Sequence, residues 1–245
     1  MNFRKNARLF HRYIALIVSI QLLLWSISGL YFSLMPISEI HGDHLLTRGL
    51  GANWSEINSP LSINDLKKIL FAEKIDVEDV VNIELITNEK QLYFKVRFNA
   101  DRAESLYFDS ITGERLAKIS EEEILRLAEQ LISNAGNPID VLWLKKVGNH
   151  HEYRNKELPV YQINFDGDEN LRLYLDGYTG EVKSLRTDNW RIFDFLWMLH
   201  VMDYKTRDNF NHMLLQFFAL LAVLTSMSGI ILWLVSRTKR KRFGH

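Results

Sequence analysis

Leu106-Tyr107-Phe108-Asp109-Ser110-Ile111-Thr112-Gly113-Glu114 recurs as Leu173-Tyr174-Leu175-Asp176-Gly177-Tyr178-Thr179-Gly180-Glu181, 67 residues further on. The organisation of the middle of the chain rests on that echo. Each copy alternates along a strand and then turns. At the Asp-x-x-Thr-Gly-Glu corner the Asp and Thr side chains can cap backbone N–H groups, and Gly supplies positive φ. The corner therefore reads as structural. An apolar-periodic helix precedes each copy, opened by a serine cap: Ser62 ahead of 64–71, and Ser120 ahead of 121–132. Strand-like runs lie between helix and repeat, at 80–86 and 91–98 in the first unit and 141–147 and 160–165 in the second. Each unit is predicted to be one helix on a three-stranded antiparallel sheet.

On either side of the repeat, the composition changes sharply. The 245 residues carry 30 Lys+Arg and 30 Asp+Glu, a formal charge of zero, with 47% hydrophobic residues and a mean hydropathy of −0.12. The balance hides a segregation. Arg4, Lys5, Arg8 and Arg12 crowd the first twelve residues, and Arg237, Lys239, Arg240, Lys241 and Arg242 crowd 237–245, with no acid in either stretch. The middle then holds 21 bases against 30 acids, a net of −9. Beside each basic end runs a charge-free segment, 13–35 and 213–235. At ~1.5 Å per residue each is long enough for the ~30 Å hydrocarbon core. The first exceeds the apolar core of a signal peptide and reads as an uncleaved anchor. Basic flanks on the inner ends predict both termini in the cytoplasm and the acidic middle outside, periplasmic in a bacterial inner membrane. The basic ends are accounted for by orientation and anionic lipids, which leaves no footprint for nucleic acid.

The expected segments are a basic N-terminus (1–12), transmembrane helix one (13–35), an outer linker (36–58), repeat units at 59–118 and 119–186, an interfacial aromatic helix (187–204), transmembrane helix two (207–236) and a basic tail (237–245). This is a membrane α+β fold, two transmembrane helices enclosing an extracytoplasmic tandem repeat. With no cysteine, the chain has no disulfide, thiolate metal site, iron–sulfur cluster or covalently attached haem. No Ser/His/Asp set, H-E-x-x-H motif, phosphate loop or dinucleotide fingerprint occurs, so a self-contained hydrolase or nicotinamide enzyme is not expected.

A helix followed by strands ending in Tyr-x-Asp-x-x-Thr-Gly-Glu resembles the PepSY domain, and two such units between apolar helices resemble the PepSY-associated transmembrane family. Further likeness lies in Arg8-Leu9-Phe10-His11-Arg12, Trp25-Ser26-Ile27-Ser28-Gly29, Leu196-Trp197-Met198-Leu199-His200 and Ser226-Met227-Ser228-Gly229. Larger relatives have four membrane helices and include haem proteins that reduce iron–siderophore complexes. The resemblance thus implies a possible haem-dependent oxidoreductase component in iron uptake.

The residues add their own reading. His11, Ala15, Ser19, Leu22, Ser26, Gly29 and Ser33 share one face of helix one, and His212, Gln216, Ala219, Ala222, Ser226 and Gly229 one face of helix two. Small residues at such spacing are expected to pack helix against helix. They also leave room for a flat porphyrin, a b-type haem with His at the rim as axial ligand. His11 lies at the inner end and His212 at the outer end, so each needs another partner. For His212 the candidates are His200, His41 and His44. For His11 they are His245 or a second copy in a two-fold dimer, which would also rebuild a four-helix core. His41-Gly42-Asp43-His44 can alternatively hold a hard or borderline metal. His150-His151 is expected in a solvated hairpin. Asp140, Asp203 and Tyr204 suggest no partner. The competing reading is a membrane anchor whose sheet edges bind a periplasmic peptidase or redox protein.

Overall fold

The computed structural model describes residues 3–47, 60–88, 91–99 and 105–242. Its helices are α1 (Phe3–Leu34), α2 (Ile37–His41), α3 (Ile63–Ala72), α4 (Glu121–Leu131), α5 (Asp188–Val201) and α6 (Met213–Arg242). Its strands are β1 (Val80–Asn88), β2 (Gln91–Phe98), β3 (Leu106–Asp109), β4 (Pro138–Leu144), β5 (Val160–Phe165), β6 (Arg172–Asp176) and β7 (Val182–Arg186). They form two compact units. One holds the chain up to Ile37 and from Arg191 onward, and the other spans Ser38–Trp190.

Within Ser38–Trp190 the two repeats are built alike. Ser62 Oγ accepts from Asp65 N at 3.2 Å to start α3, and Ser120 Oγ accepts from Glu123 N at 3.2 Å to start α4. These caps satisfy N–H groups that a first helical turn cannot satisfy itself. In the first repeat, Leu66 and Leu70 of α3 pack on Phe94, Val96 and Phe108 of an antiparallel sheet ordered β1-β2-β3. In the second, Ile124, Ala128 and Leu131 of α4 pack on Tyr161, Ile163, Leu173 and Leu175. Burying each such aliphatic side chain contributes about 2 kcal/mol.

The second sheet departs from the three strands expected. Its order is β4-β5-β6-β7, with β7 antiparallel to β6 and Leu185 joining the core. The difference lies just beyond the turn. After Gly180-Glu181 the five residues before Thr187 form β7, four of them paired with β6. After Gly113-Glu114 the five residues before the Ser120 cap make only one bridge, Phe108–Arg115.

The first sheet is covered on both sides, since Tyr93, Lys95 and Tyr107 on the face opposite α3 are buried too. That face meets the second repeat. Tyr107 Oη donates to Asp176 Oδ2 at 2.9 Å and its ring stacks on Tyr178, while Lys95 pairs with Glu157. Residues 145–159 form a loop that is exposed along much of its length but anchored by the buried Tyr153, Arg154 and Pro159, rather than a wholly solvated hairpin. Tyr153 stacks on Tyr174 with centroids 4.5 Å apart, and Glu152 Oε1 accepts from Tyr174 Oη at 2.8 Å. His150 is exposed, but His151 lies edge-on to Tyr174 and its Nδ1 accepts from Tyr153 N. The loop closes in this way because β5 and β6 present Val160, Gln162 and Tyr174 on the face away from α4, and these need a cover.

The other unit joins α1, most of α5, and α6. Among the described residues two helices are long and apolar enough to cross a membrane, with candidate spans at Arg12–Leu34 and Met213–Ile231. Most of their apolar side chains face outward: Leu23 is 61% exposed and Leu220 57%. The buried stripe of α1 is Val18, Gln21 and Ser28, flanked by Trp25 and Phe32, so the small-residue face expected at the interface is displaced from it. Ser19, Leu22, Ser26 and Ser33 are exposed, as are Gln216, Ala219, Ser226 and Gly229 on α6. A Cβ on Gly29 or Gly229 would meet nothing within 4 Å. Two causes are visible. Ser19 and Ser26 donate to Ala15 O at 2.6 Å and Leu22 O at 2.8 Å, so they need no partner helix. A third helix, α5, brings aromatic and hydrogen-bonding side chains that select a neighbouring face of α1.

Candidate functional site

The most developed polar arrangement in the helical unit lies where α1 meets the end of α5. Steps of three and four residues place Trp25, Ser28 and Phe32 on one face of α1. Phe32 packs on Phe193 with ring centroids 4.9 Å apart, and Trp25 Nε1 donates to His200 O at 2.7 Å. That indole bond satisfies a carbonyl in the last turn of α5, which has no partner within its own helix.

The His200 imidazole sits within this frame. Its Nδ1 is 2.7 Å from Ser28 Oγ, and the Ser28 side chain is fully buried. Ser28 Oγ also lies 2.8 Å from Leu24 O and 3.1 Å from Trp25 O. Carbonyl oxygens only accept, so the single serine proton goes to one of them and the serine oxygen must accept from His200. The imidazole is therefore the Nδ1–H tautomer, and Nε2 keeps its lone pair. Nε2 has no hydrogen-bond partner among the described residues. The Trp197 ring lies parallel at 6.4 Å, and Phe32 meets the imidazole edge-on at 5.6 Å. Burial pushes the His200 pKa below the ordinary histidine value, which favours the neutral, ligating form.

His212 is used differently. Its Nδ1 accepts from Leu215 N at 3.4 Å at the start of α6, and its Nε2 donates to Val201 O at 2.9 Å. Both ring nitrogens are engaged with backbone, so His212 links the end of α5 to the start of α6. The connection is braced further. Asp194, 5% exposed, accepts from Arg207 at 2.5 Å, and the Asp203 carboxylate accepts from the backbone N–H groups of Lys205, Thr206 and Asn209. Burial opposes ionisation of Asp203, but the Thr206 hydroxyl, which also donates to it, and these N–H groups outweigh burial and hold its pKa well below the carboxylate range. Asp203, without an expected partner, thus organises this turn, while Asp140 accepts from Asn164 at 3.1 Å on the second sheet.

His41 and His44 belong to the Ser38–Trp190 unit. His41 is exposed, and His44 Nε2 lies 2.9 Å from Glu169 Oε1, which occupies it as a hydrogen-bond partner. His11 is within α1, but its side chain lies outside the described residues, as does His245. Among the described residues no three His, Asp or Glu side chains gather as a metal-holding group. Sequence reasoning missed Ser28, although it stands in the Trp25-Ser26-Ile27-Ser28-Gly29 motif. Its selection over Ser26 depends on which face α5 covers.

The repeat corner proves to be a backbone device in both copies. Asp109 Oδ1 accepts from Ile111 N and Thr112 N at 2.8 Å each, and Asp176 Oδ1 accepts from Tyr178 N at 2.9 Å and Thr179 N at 3.0 Å. Gly113 (φ 75°) and Gly180 (φ 69°) supply the left-handed residue. Residues 118–185 match the PepSY family model, described as the peptidase propeptide and YPEB domain. The second repeat unit is thus a PepSY domain, and the first lies outside the match. No curated protein and no solved structure matches the chain.

Proposed function

We propose that the protein is an inner-membrane PepSY protein that binds b-type haem through His200 Nε2 and passes electrons toward an acceptor at the outer face, such as a ferric chelate. In this reading α1 and α6 cross the bilayer, both basic ends are cytoplasmic and the acidic domain is periplasmic. The observation that carries it is His200, a neutral imidazole whose Nδ1–H is fixed by a buried serine and whose remaining lone pair is uncommitted. Histidine ligands to metals are commonly oriented by such a second hydrogen bond. The donor chemistry fits haem iron, and Trp25, Phe32 and Trp197 give the ring an apolar setting. When bound, the haem supplies one-electron transfer. The chain's residues hold the ligand tautomer, orient the ring and exclude water. A second copy would supply a further ligand and the remaining enclosure, in keeping with the small-residue faces that α1 and α6 leave open.

A visible spectrum of the purified full chain tests this reading. Dithionite is expected to shift the Soret band and raise an α-band, and His200→Ala to abolish both. Because the His212 nitrogens are engaged, His212→Ala is expected to retain the bands. A protein without haem bands, or a His200→Ala spectrum like that of wild type, overturns the reading. A pyridine haemochrome assay giving about half a haem per chain would support the shared arrangement.

The observation favouring a second reading, an anchor for a periplasmic peptidase or redox partner, is the edge strand β1, where Val81 is 63% exposed. Exposed edges accept added strands. A colourless protein that retains such a partner, and loses it on Val81→Lys, would favour this reading.

A further inference from the structure

Away from the helical unit, the Ser38–Trp190 unit contains a cavity of about 360 Å³ between β7, the loop carrying Lys156, the turn after α2, and Trp190. Its lining sets Lys156, Lys183 and Arg186 against one carboxylate, Asp43. The Lys156 ammonium bonds only to neutral groups, Ser184 Oγ at 3.1 Å and Lys183 O at 3.3 Å, and has no carboxylate within ion-pair distance among the described residues. Arg186, 8% exposed, lines the same cavity, with its guanidinium 3.9 Å from the centroid of the Trp190 ring and its Nε donating to Glu152 O. Lys183 also reaches the cavity, but Glu181 at 2.6 Å and Asp176 at 3.9 Å already balance it.

Holding Lys156 beside Arg186 is unfavourable in an empty cavity. Burial of the ammonium and then repulsion from Arg186 push the Lys156 pKa down to about 8. An entering anion reverses both effects, because it compensates the Lys156 ammonium and accepts from the Ser184 hydroxyl. Lysine presents a compact charge and arginine a planar fork, a pairing suited to the tetrahedral oxygens of phosphate. The volume exceeds that of a bare phosphate. Asp43 and His41, on the cavity wall, offer polar partners to a substituent carried on it.

We propose that this cavity is a binding site for the phosphate of a small phosphorylated ligand, with Lys156 and Arg186 as its cationic contacts and Ser184 as a hydroxyl donor. The same chemistry is presented by a soluble phosphate ester and by a phospholipid headgroup. The site is independent of His200 and of haem.

Calorimetric titration of the full chain in neutral detergent tests it, at constant ionic strength, with glycerol 3-phosphate, dihexanoylphosphatidylglycerol and acetate as probes. Saturable binding of either phosphate compound is expected, weakened about tenfold or more by Lys156→Gln and restored by Lys156→Arg. Tighter binding of the ester assigns a soluble ligand, and tighter binding of the lipid assigns a headgroup. Lys156 is exposed as a residue, so its replacement does not open the core. No binding of either phosphate probe at about 10 mM, equal binding of acetate, or a Lys156→Gln protein that binds like wild type would overturn the proposal.

Discussion

The two repeats share a turn, a capped helix and a sheet core, yet they treat the same two side chains differently. In the first, Asp109 is partly exposed and serves its own turn. In the second, Asp176 is 3% exposed and serves its own turn with one oxygen while its other accepts from Tyr107 of the first repeat. The tyrosines diverge in parallel. Tyr107 reaches across to the other repeat, and Tyr174 stays within its own, donating to Glu152. A nine-residue motif therefore carries one constant task, the turn, and one task set by what packs against it.

Mutations can probe this difference at several strengths. The largest effect is expected from Leu173→Ala, which empties a fully buried position between α4 and the four-stranded sheet and costs about 4 kcal/mol. Leu66→Ala in the first repeat is expected to cost about 3 kcal/mol, since that core is smaller and has more freedom to relax. Chemical denaturation of the full chain measures both. Next, Asp176→Ala is expected to cost about 3 kcal/mol against about 1 kcal/mol for Asp109→Ala, because only the former strands a buried phenol as well as the turn N–H groups. Equal losses would show that the bond between repeats contributes nothing. Tyr107→Phe isolates that bond. It leaves Asp176 Oδ2 short of a donor and is expected to cost about 1–2 kcal/mol, more than Tyr174→Phe, whose partner Glu152 still meets Arg172 at 3.2 Å.

The smallest expected effect concerns Lys156 on the loop that the second repeat alone possesses. Its folded pKa, about 8, lies below the unfolded value of 10.5, so folding disfavours its charged form. Stability is expected to rise between those two values as the unfolded chain keeps a proton that the folded one has released. Lys156→Met is expected to be slightly stabilising at pH 7, and the advantage to fade above pH 10.5. Melting temperatures across pH 7–11 measure it.

Features set by neighbours in the chain were legible in the sequence. Ser62 and Ser120 read as caps, the Asp-x-x-Thr-Gly-Glu corner read as a turn, and both long apolar helices follow from composition. What failed depended on distant partners. The fourth strand of the second sheet was missed because Val182–Arg186 is a strand only by pairing with β6. The small-residue faces of α1 and α6 were assigned to the interface by a rule for two helices, whereas α5 makes a third. At the candidate site, His200 stood out through its aromatic neighbours in sequence. Its tautomer could not, because it depends on Ser28, 172 residues away. His212 showed the converse, a histidine whose position suggested a ligand and whose two nitrogens hold a helix connection.

The Tyr107–Asp176 bond also bears on how the outer unit opens. In a solenoid each repeat can fray and leave its neighbour folded. Here, separating the first sheet exposes the buried Tyr93, Lys95 and Tyr107 face and removes the donor from a buried carboxylate in the second. Loss of either half therefore destabilises the other. Amides of β2 and of β6, in different copies of the motif, are expected to exchange with solvent in a single cooperative opening, so that what began as a duplication behaves energetically as one indivisible module.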